Sequence, residues 1–343
     1  MTYRNILVAT DGSETAVRAQ RRAATLARGY WARLLITTAF REPDLPRSIA
    51  DDVLAYARQD VRRAEVDVLT RAVEGEPAEA IAEAALDGWA DLVVAGNRGL
   101  GGAKRLRMGT VAERIANAAP CDVLIVHTAD HVASEPHRPY EHVLIATDGS
   151  PTASEAARTG FELAEIQRAE VTLVHVGDPL LGAIALERAV QGRPGSGPVR
   201  TVTREGDPAE EITALAKESG AGLVVIGNKG LAGLRGRLLG SVPAEVTHSS
   251  PVDVLIVRTT GRTAADLEPG TAAVVDLDGQ KAAVYLDDAG VRHAVSARCQ
   301  HLGCTVGWNH VARTWDCPCH GSRYTFEGKV FQGPATKDLP VID

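Results

Sequence analysis

The chain repeats itself. Ile6-Leu7-Val8-Ala9-Thr10-Asp11-Gly12-Ser13 returns as Val143-Leu144-Ile145-Ala146-Thr147-Asp148-Gly149-Ser150, and Gly75-Glu76-Pro77-Ala78-Glu79 returns as Gly206-Asp207-Pro208-Ala209-Glu210. Later, Asp91 to Asn97 matches Gly222 to Asn228, and Pro120 to Val126 matches Pro251 to Val257. The offset falls from 137 to 131, so the second copy is shorter in its middle. Self-similarity on this scale requires two copies of one folding unit.

Within each copy, short β-branched runs alternate with Ala-rich amphipathic stretches such as Glu14 to Arg28 and Ala78 to Asp87. Alternating strand and helix implies a mostly parallel sheet covered by helices, so each copy reads as one α/β domain. The His- and Pro-rich segment from Ala129 to Pro139 reads as a linker, and Thr259 to Thr263 as a second. From Ala272 the pattern changes to short alternating runs, Ala273 to Leu277 and Ala282 to Leu286, separated by Asp-Gly turns. The expectation is a multidomain chain: α/β domains over 1–128 and 140–258, then a small all-β domain over 264–343.

The formal charge of −7 argues against nucleic-acid binding, which needs a basic face to displace phosphate counterions. No run of 18 apolar residues spans a bilayer. The N-terminus enters an apolar strand pattern directly, without the basic start and long apolar stretch of a signal peptide, which gives a cytoplasmic expectation. Four of the five cysteines lie between positions 299 and 319, which in a reducing compartment points to metal or redox chemistry. Cys121, beside the apolar run Val123 to Val126, reads as an inert buried residue.

Cys299-Gln300-His301 and Cys317-Pro318-Cys319-His320 pair two thiols with two imidazoles. Such a set holds one iron of a [2Fe-2S] cluster by sulfur and the other by nitrogen, and the neutral imidazoles raise its reduction potential. On these four residues alone a structural zinc site is an alternative. The surrounding text, Cys299-Gln300-His301-Leu302-Gly303-Cys304, Cys317-Pro318-Cys319-His320-Gly321-Ser322, Tyr324 and Gly333-Pro334-Ala335, resembles the Rieske family, in particular its high-potential branch. The resemblance implies cluster ligation by Cys299, His301, Cys317 and His320, and a disulfide between Cys304 and Cys319. It further implies hydrogen bonds from Ser322 and Tyr324 to sulfur, and a Gly-Pro-Ala cover. A disulfide sits uneasily in a reducing cytosol. No membrane helix and no separate mononuclear iron domain are legible, so neither a respiratory quinol oxidase nor a complete oxygenase is expected.

Gly96-x2-Gly99-x9-Gly109-Thr110 follows the apolar run Leu92 to Ala95, and Gly227-x2-Gly230-x9-Gly240-Ser241 follows Leu223 to Ile226. Glycines after a strand let backbone N–H groups approach an anion, and the next helix adds unpaired N–H groups and a positive dipole end. Lys104, Arg105 and Arg107, and Arg235 and Arg237, add positive charge to these loops. A solvated loop with turn glycines is the plain alternative. With the Ala-Thr-Asp-Gly-Ser openings, the loops resemble the universal stress protein family and its ATP-binding members, over residues 1–128 and 140–258.

That resemblance places Asp11 and Asp148 against a nucleoside. It puts Gly96, Gly99, Gly109 and Thr110, with Gly227, Gly230, Gly240 and Ser241, around its phosphates. Val176 matches the adenine-contacting valine, whereas the first copy has Ala39 there, a looser pocket. Thr110 and Glu113 have capping-box spacing, while Pro243 removes a donor from the second site. There is no Gly-x4-Gly-Lys-Ser/Thr loop and no assigned general base, so binding of ATP or a related adenine nucleotide is expected without catalytic residues. The two copies are expected to pack as an internal pseudo-dimer through Val123 to Val126 and Val254 to Val257, with self-association of whole chains left open. The resulting reading is a nucleotide-binding stress-response protein with a Rieske centre for one-electron transfer or redox sensing, served by a redox partner protein. The alternative is an electron-transfer component for a separate oxidoreductase or oxygenase.

Overall fold

The computed structural model describes residues 3–42, 46–88, 90–99, 108–127, 140–193, 195, 197–229, 239–258, 267, 269–277, 280–309, 312–317 and 320–342. Both linkers read from the sequence fall outside these residues. The chain divides into two compact units, residues 1–259 and 260–343.

The first unit carries β1 (Asn5–Ala9), α1 (Glu14–Tyr30), β2 (Arg33–Phe40), α2 (Arg47–Asp60), β3 (Val68–Glu74), α3 (Pro77–Asp87), β4 (Leu92–Gly96), α4 (Thr110–Ala118) and β5 (Asp122–Val126). The second copy supplies β6 (His142–Ala146), α5 (Pro151–Gln167), β7 (Glu170–Val176), α6 (Pro179–Gln191), β8 (Val199–Arg204), α7 (Pro208–Ser219), β9 (Leu223–Gly227), α8 (Ser241–Ser249) and β10 (Asp253–Val257). All twenty residues of β4, β5, β9 and β10 are apolar, glycine or the leading aspartates. That composition suits strands covered on both faces.

One ten-stranded sheet results, in the order β3-β2-β1-β4-β5-β10-β9-β6-β7-β8. Within each copy the strands are parallel. Alternation along a strand sends successive side chains to opposite faces: Ile6 and Val8 join the core that holds Leu26 and Tyr30 of α1, whereas Leu7 joins the core that holds Ile81 of α3 and Ile115 of α4. The order reverses at β1, which pairs with both β2 and β4. In open α/β sheets that reversal leaves a crevice at the carboxyl ends of the strands, where ligands bind.

The apolar runs expected to join the copies do so. β5 and β10 are antiparallel, with Val254 opposite Ile125, Leu255 opposite Leu124 and Ile256 opposite Val123. Each strand opens on an aspartate that reaches across the seam, Asp122 half-buried and Asp253 buried. Asp122 accepts Arg258 N–H at 2.8 Å and the Tyr3 hydroxyl at 2.7 Å. Asp253 accepts His127 N–H at 2.9 Å and the Tyr140 hydroxyl at 2.6 Å. Arg22 Nε lies 3.3 Å from Asp253 Oδ2, and its guanidinium lies over the Tyr140 ring.

In the unit of residues 260–343, β11 (Ala272–Leu277), β12 (Gln280–Leu286) and β13 (Arg292–Ser296) form an antiparallel three-stranded sheet. β14 (Gly307–Asn309), β15 (Thr314–Asp316), β16 (Arg323–Thr325) and β17 (Val330–Gln332) form an antiparallel four-stranded sheet. Tyr285, Trp308 and Trp315 pack in sequence between them, with ring centroids 4.7 and 4.8 Å apart. The protein is therefore multidomain, a large mostly parallel α/β sheet followed by a small all-β unit.

Burial is the largest influence on Asp122 and pushes its carboxyl from 3.8 up to about 7. A carboxyl raised in the folded state favours the protonated fold, so its contribution is complete below about pH 4 and is lost as pH rises through about 7. Asp122→Asn is expected to flatten the decline of stability between pH 4 and 7, by on the order of 3 kcal/mol. Thermal melts of both proteins across that range measure it.

Candidate functional site

After β1 and again after β6, which pairs with both β7 and β9, the same local construction recurs. The Asp11 carboxylate accepts Ser13 N–H at 2.9 Å, Thr10 Oγ1 accepts Gly12 N–H at 3.2 Å, and Ser13 Oγ caps α1 by accepting Ala16 N–H. Asp148, Thr147 and Ser150 repeat these bonds at 2.9, 3.2 and 3.1 Å. A serine N-cap after an Asp-Gly turn thus fixes where the strand ends and the helix begins.

Gly96 and Gly227 end β4 and β9. An added Cβ at Gly96 would lie 2.9 Å from the Thr15 backbone, and one at Gly227 would lie 3.2 Å from that of Thr152. Thr15 Oγ1 donates to Arg98 O, and Thr152 Oγ1 donates to Lys229 O at 2.6 Å. These threonines stitch the glycine loop to the first turn of the helix after the aspartate. They were not singled out from sequence, although both stand four residues after an aligned Asp-Gly-Ser aspartate. Gly99 comes close to the aspartate itself, since a Cβ there would sit 2.6 Å from Asp11 Oδ2.

Gly230, Lys104, Arg105, Arg107, Arg235 and Arg237 lie outside the described residues. Beyond the gaps, Gly109 N–H donates to Asn97 O at 2.7 Å and Gly240 N–H to Asn228 O at 2.9 Å, which returns each loop to its strand. Gly109 and Gly240 are the N-caps of α4 and α8, and neither helix has a side-chain cap bond there. By contrast α1, α3, α5, α6 and α7 are capped by Ser13, Glu76, Ser150, Asp178 and Asp207. The capping box read from Thr110 and Glu113 is corrected accordingly: Thr110 is the first helical residue, and Glu113 donates its N–H to Gly109 O at 3.0 Å. A glycine cap offers no side chain, so the first-turn donors are left for an anion. Val176 ends β7 and is half-buried, and Ala39 lies next to the end of β2.

In the second unit, two loops of the same form face each other. Gly303 N–H donates to Cys299 O at 2.9 Å and Cys299 N–H to Cys304 O at 2.8 Å; Gly321 N–H donates to Cys317 O at 3.0 Å and Cys317 N–H to Ser322 O at 2.7 Å. Gly303 and Gly321 have φ of 76° and 75°, a left-handed turn that favours glycine. The loops present Cys299 and Cys317 as buried thiols outside any disulfide and His301 and His320 as exposed rings, their centroids 4.9 Å apart. Cys304 is disulfide-bonded. Cys319, the partner expected from the sequence, lies outside the described residues.

The hydroxyls around Cys299 are committed in a consistent way. Tyr324 Oη accepts Gln300 N–H at 3.2 Å and lies 3.1 Å from Cys299 Sγ, so its proton is available to sulfur. Ser322 Oγ accepts Ala335 N–H at 3.0 Å, from the segment expected to cover the site. Burial raises the Cys299 thiol, but hydrogen bonds from Tyr324, the His301 backbone, Cys317 and Ser322 outweigh it and hold the thiol below its usual value. Cys121, in contrast, is driven well up by burial and neighbouring carboxylates. Two thiols set apart in this way, with donors aimed at one of them and two imidazoles alongside, fit a thiolate- and imidazole-bound iron–sulfur group.

Comparison with known proteins agrees with both constructions. The Universal stress protein family model matches residues 2–127, 139–189 and 181–258, and the Rieske [2Fe-2S] domain model matches 260–343. The chain belongs to the universal stress protein family. It carries a Rieske [2Fe-2S] domain after the repeated stress-protein domains.

A universal stress protein of Thermus aquaticus is 38% identical over 135 residues, 36% of this chain and 98% of that protein. The Bacillus subtilis protein YhfW, named for a Rieske 2Fe-2S iron-sulfur centre, is 47% identical over 78 residues, 23% of this chain. This chain spans only 15% of the length of YhfW and 62% of the mycobacterial universal stress proteins it matches. A solved universal stress protein from Archaeoglobus fulgidus shares the fold, with a TM-score of 0.61 at 20% identity over 74% of this chain and 98% of that one.

Gly99→Ala is expected to push the Asp11 carboxylate aside and leave the strands and helices in place. Any affinity of the first copy for ATP is expected to fall roughly tenfold, the worth of one hydrogen bond to a charged group. Calorimetric titration of the variant, with its melting curve as a control, measures both.

Proposed function

We propose that this protein binds adenine nucleotide in its two stress-protein domains and transfers or senses single electrons through a [2Fe-2S] cluster in its Rieske domain, without catalytic residues of its own. The domains are taken as 1–128, 140–258 and 264–343. The observation that carries the electron-transfer part is the pair of matching loops that holds two buried, non-disulfide thiols and two exposed imidazoles together. Cys299, His301, Cys317 and His320 are assigned as ligands, and Cys304 with Cys319 as the tie between loops. Ser322 and Tyr324 are assigned as donors to sulfur. When bound, the cluster supplies one-electron chemistry near neutral pH; this chain's part is to bury the thiolates, aim hydroxyl protons at them and leave the histidines at the surface.

Nucleotide binding rests on the switch-point crevice and the two uncapped helices that open onto it. Asp11, Gly96, Gly99, Gly109 and Thr110 are assigned to the first site. Asp148, Val176, Gly227, Gly230, Gly240 and Ser241 are assigned to the second. ATP is the nucleotide of choice for the test. Among the described residues no helix is long and apolar enough to cross a membrane, and a cytoplasmic location is part of the proposal.

A second reading is favoured by one feature. Leu302 is 68% exposed directly after His301, which gives an apolar contact beside a ligand and suits transfer to a separate oxidoreductase partner. Reduction by a cellular reductase followed by onward transfer would select this reading.

Two experiments test the proposal. Anaerobically purified protein should contain two irons per chain and give a Rieske-type EPR signal after chemical reduction; zinc in folded, EPR-silent protein overturns the electron-transfer reading. Tyr324→Phe should lower the reduction potential by on the order of 50 mV, because a donor to the more negative reduced state is lost. Redox titration followed by EPR measures the shift.

A further inference from the structure

α6 is built inside out. Its buried side consists of Gly182, Ala185 and Leu186, while Pro179, Leu180, Leu181, Ala183 and Ile184 face solvent in its first two turns. Leu180 is 73%, Leu181 62% and Ile184 43% exposed. Close packing explains the small residues on the inner side. A Cβ on Gly182 would lie 2.7 Å from His175 Cδ2, and one on Gly149 would lie 3.1 Å from Ala185 Cβ. The helix sits so near to β7 and to the turn after Asp148 that no large side chain fits beneath its first turns.

α2, which follows β2 as α6 follows β7, is arranged the ordinary way. It buries Ala50, Leu54 and Ala57 and turns Arg47, Ser48, Asp51 and Asp52 outward, with Ile49 the one large apolar side chain exposed beside them. A face of that kind is satisfied by water. A helix that is apolar on every side, by contrast, is built to be covered on every side.

The exposed stripe of α6 has a direction. Leu180, Leu181 and Ile184 are followed by Glu187, Arg188 and Gln191, at spacings of three and four that keep all six on one side of the helix. Asp178 stands at the N-terminal end, where its Oδ1 accepts the N–H groups of Leu180 and Leu181 at 2.9 Å. Arg188, near the other end, is exposed and has no ion pair among the described residues. Two such helices laid antiparallel about a two-fold axis near Ala183 set apolar half upon apolar half. The same arrangement brings Arg188 of each level with Asp178 of the other, so the charges pair twice. A membrane surface fits less well, because it calls for lysines and arginines beside the apolar stripe, and α6 offers Asp178 and Glu187 with a single arginine.

We propose that the exposed face of α6 is a self-association surface, on which a second copy of this chain docks its own α6 in the antiparallel sense. The contact is isologous and closes at two chains. α6 has 13 residues and is about 20 Å long, so one pair of them falls short of the about 1,200 Å² of a standard interface. The dimer is therefore a reversible one.

The test is sedimentation velocity of the full chain from low micromolar to several hundred micromolar protein, over which monomer should give way to dimer. Leu181→Glu places a carboxylate in the apolar stripe and should weaken the dimer about tenfold. Arg188→Glu sets like charges opposite Asp178 and should weaken it by about the same factor. Adding Asp178→Asn, which keeps an oxygen to cap α6, should restore part of what Arg188→Glu loses, a rescue that general damage to the helix would not give. Melting curves of the variants check the fold. A chain that stays monomeric throughout, with or without affinity for anionic lipid vesicles, overturns the proposal. So does a dimer unchanged by Leu181→Glu or by Arg188→Glu.

Discussion

The antiparallel seam between β5 and β10 is the contact on which the larger unit depends. It turns two five-stranded sheets into one ten-stranded sheet and removes two edges that would otherwise present unpaired backbone groups. The aspartates at its ends make the register specific. Each must find both a backbone N–H of the opposite strand's end and a tyrosine hydroxyl of its own copy, and a slip by one residue would leave a carboxyl buried without those donors. Across the same seam Asn117 of α4 accepts the N–H of Leu239, the residue before the cap of α8.

Much of this was legible in the sequence because the repeat reports itself twice. The strand ends at Ala9 and Ala146, the aspartates after them, the helix start at Glu14 and the pairing of the two apolar runs all follow from local pattern and self-comparison, and the helix read from Ala78 begins one residue earlier, at Pro77. The end of α1 did not. It runs to Tyr30, and its cap is Trp31 at φ 56°, a position where glycine or asparagine is the usual signal. The reading of Thr110 as a cap missed by one residue for a related reason: the true cap is a glycine, which has no side chain to advertise the role. Contacts such as Tyr3 with Asp122 or Asn117 with Leu239 join residues more than a hundred positions apart, and neither partner carries a local pattern that names the other.

The smaller unit shows a different balance. Its two cysteine loops are closed by matching backbone bonds, each with a left-handed glycine among the described residues. Stiffness comes instead from the aromatic packing of Tyr285, Trp308 and Trp315 below and from hydroxyls whose oxygen and proton are both engaged. Spacing of cysteine and histidine singled out the four residues that the two loops bring together, whereas the orientation of Ser322 and Tyr324 depends on Ala335 and Gln300, which no spacing rule connects to them.

Joining the two α/β copies in one chain has an evolutionary consequence. In a symmetric homodimer every substitution at the seam arrives twice, and a change that helps one half must be tolerated by its identical mate. Here the halves vary independently: Asn117 stands against His248, Ala112 against Pro243, Ala39 against Val176, and Arg22 accompanies one seam aspartate where Thr159 stands in the other copy. Covalent linkage keeps the partners together at high effective concentration while such differences accumulate. The fused architecture is free to specialise one crevice without dismantling the other.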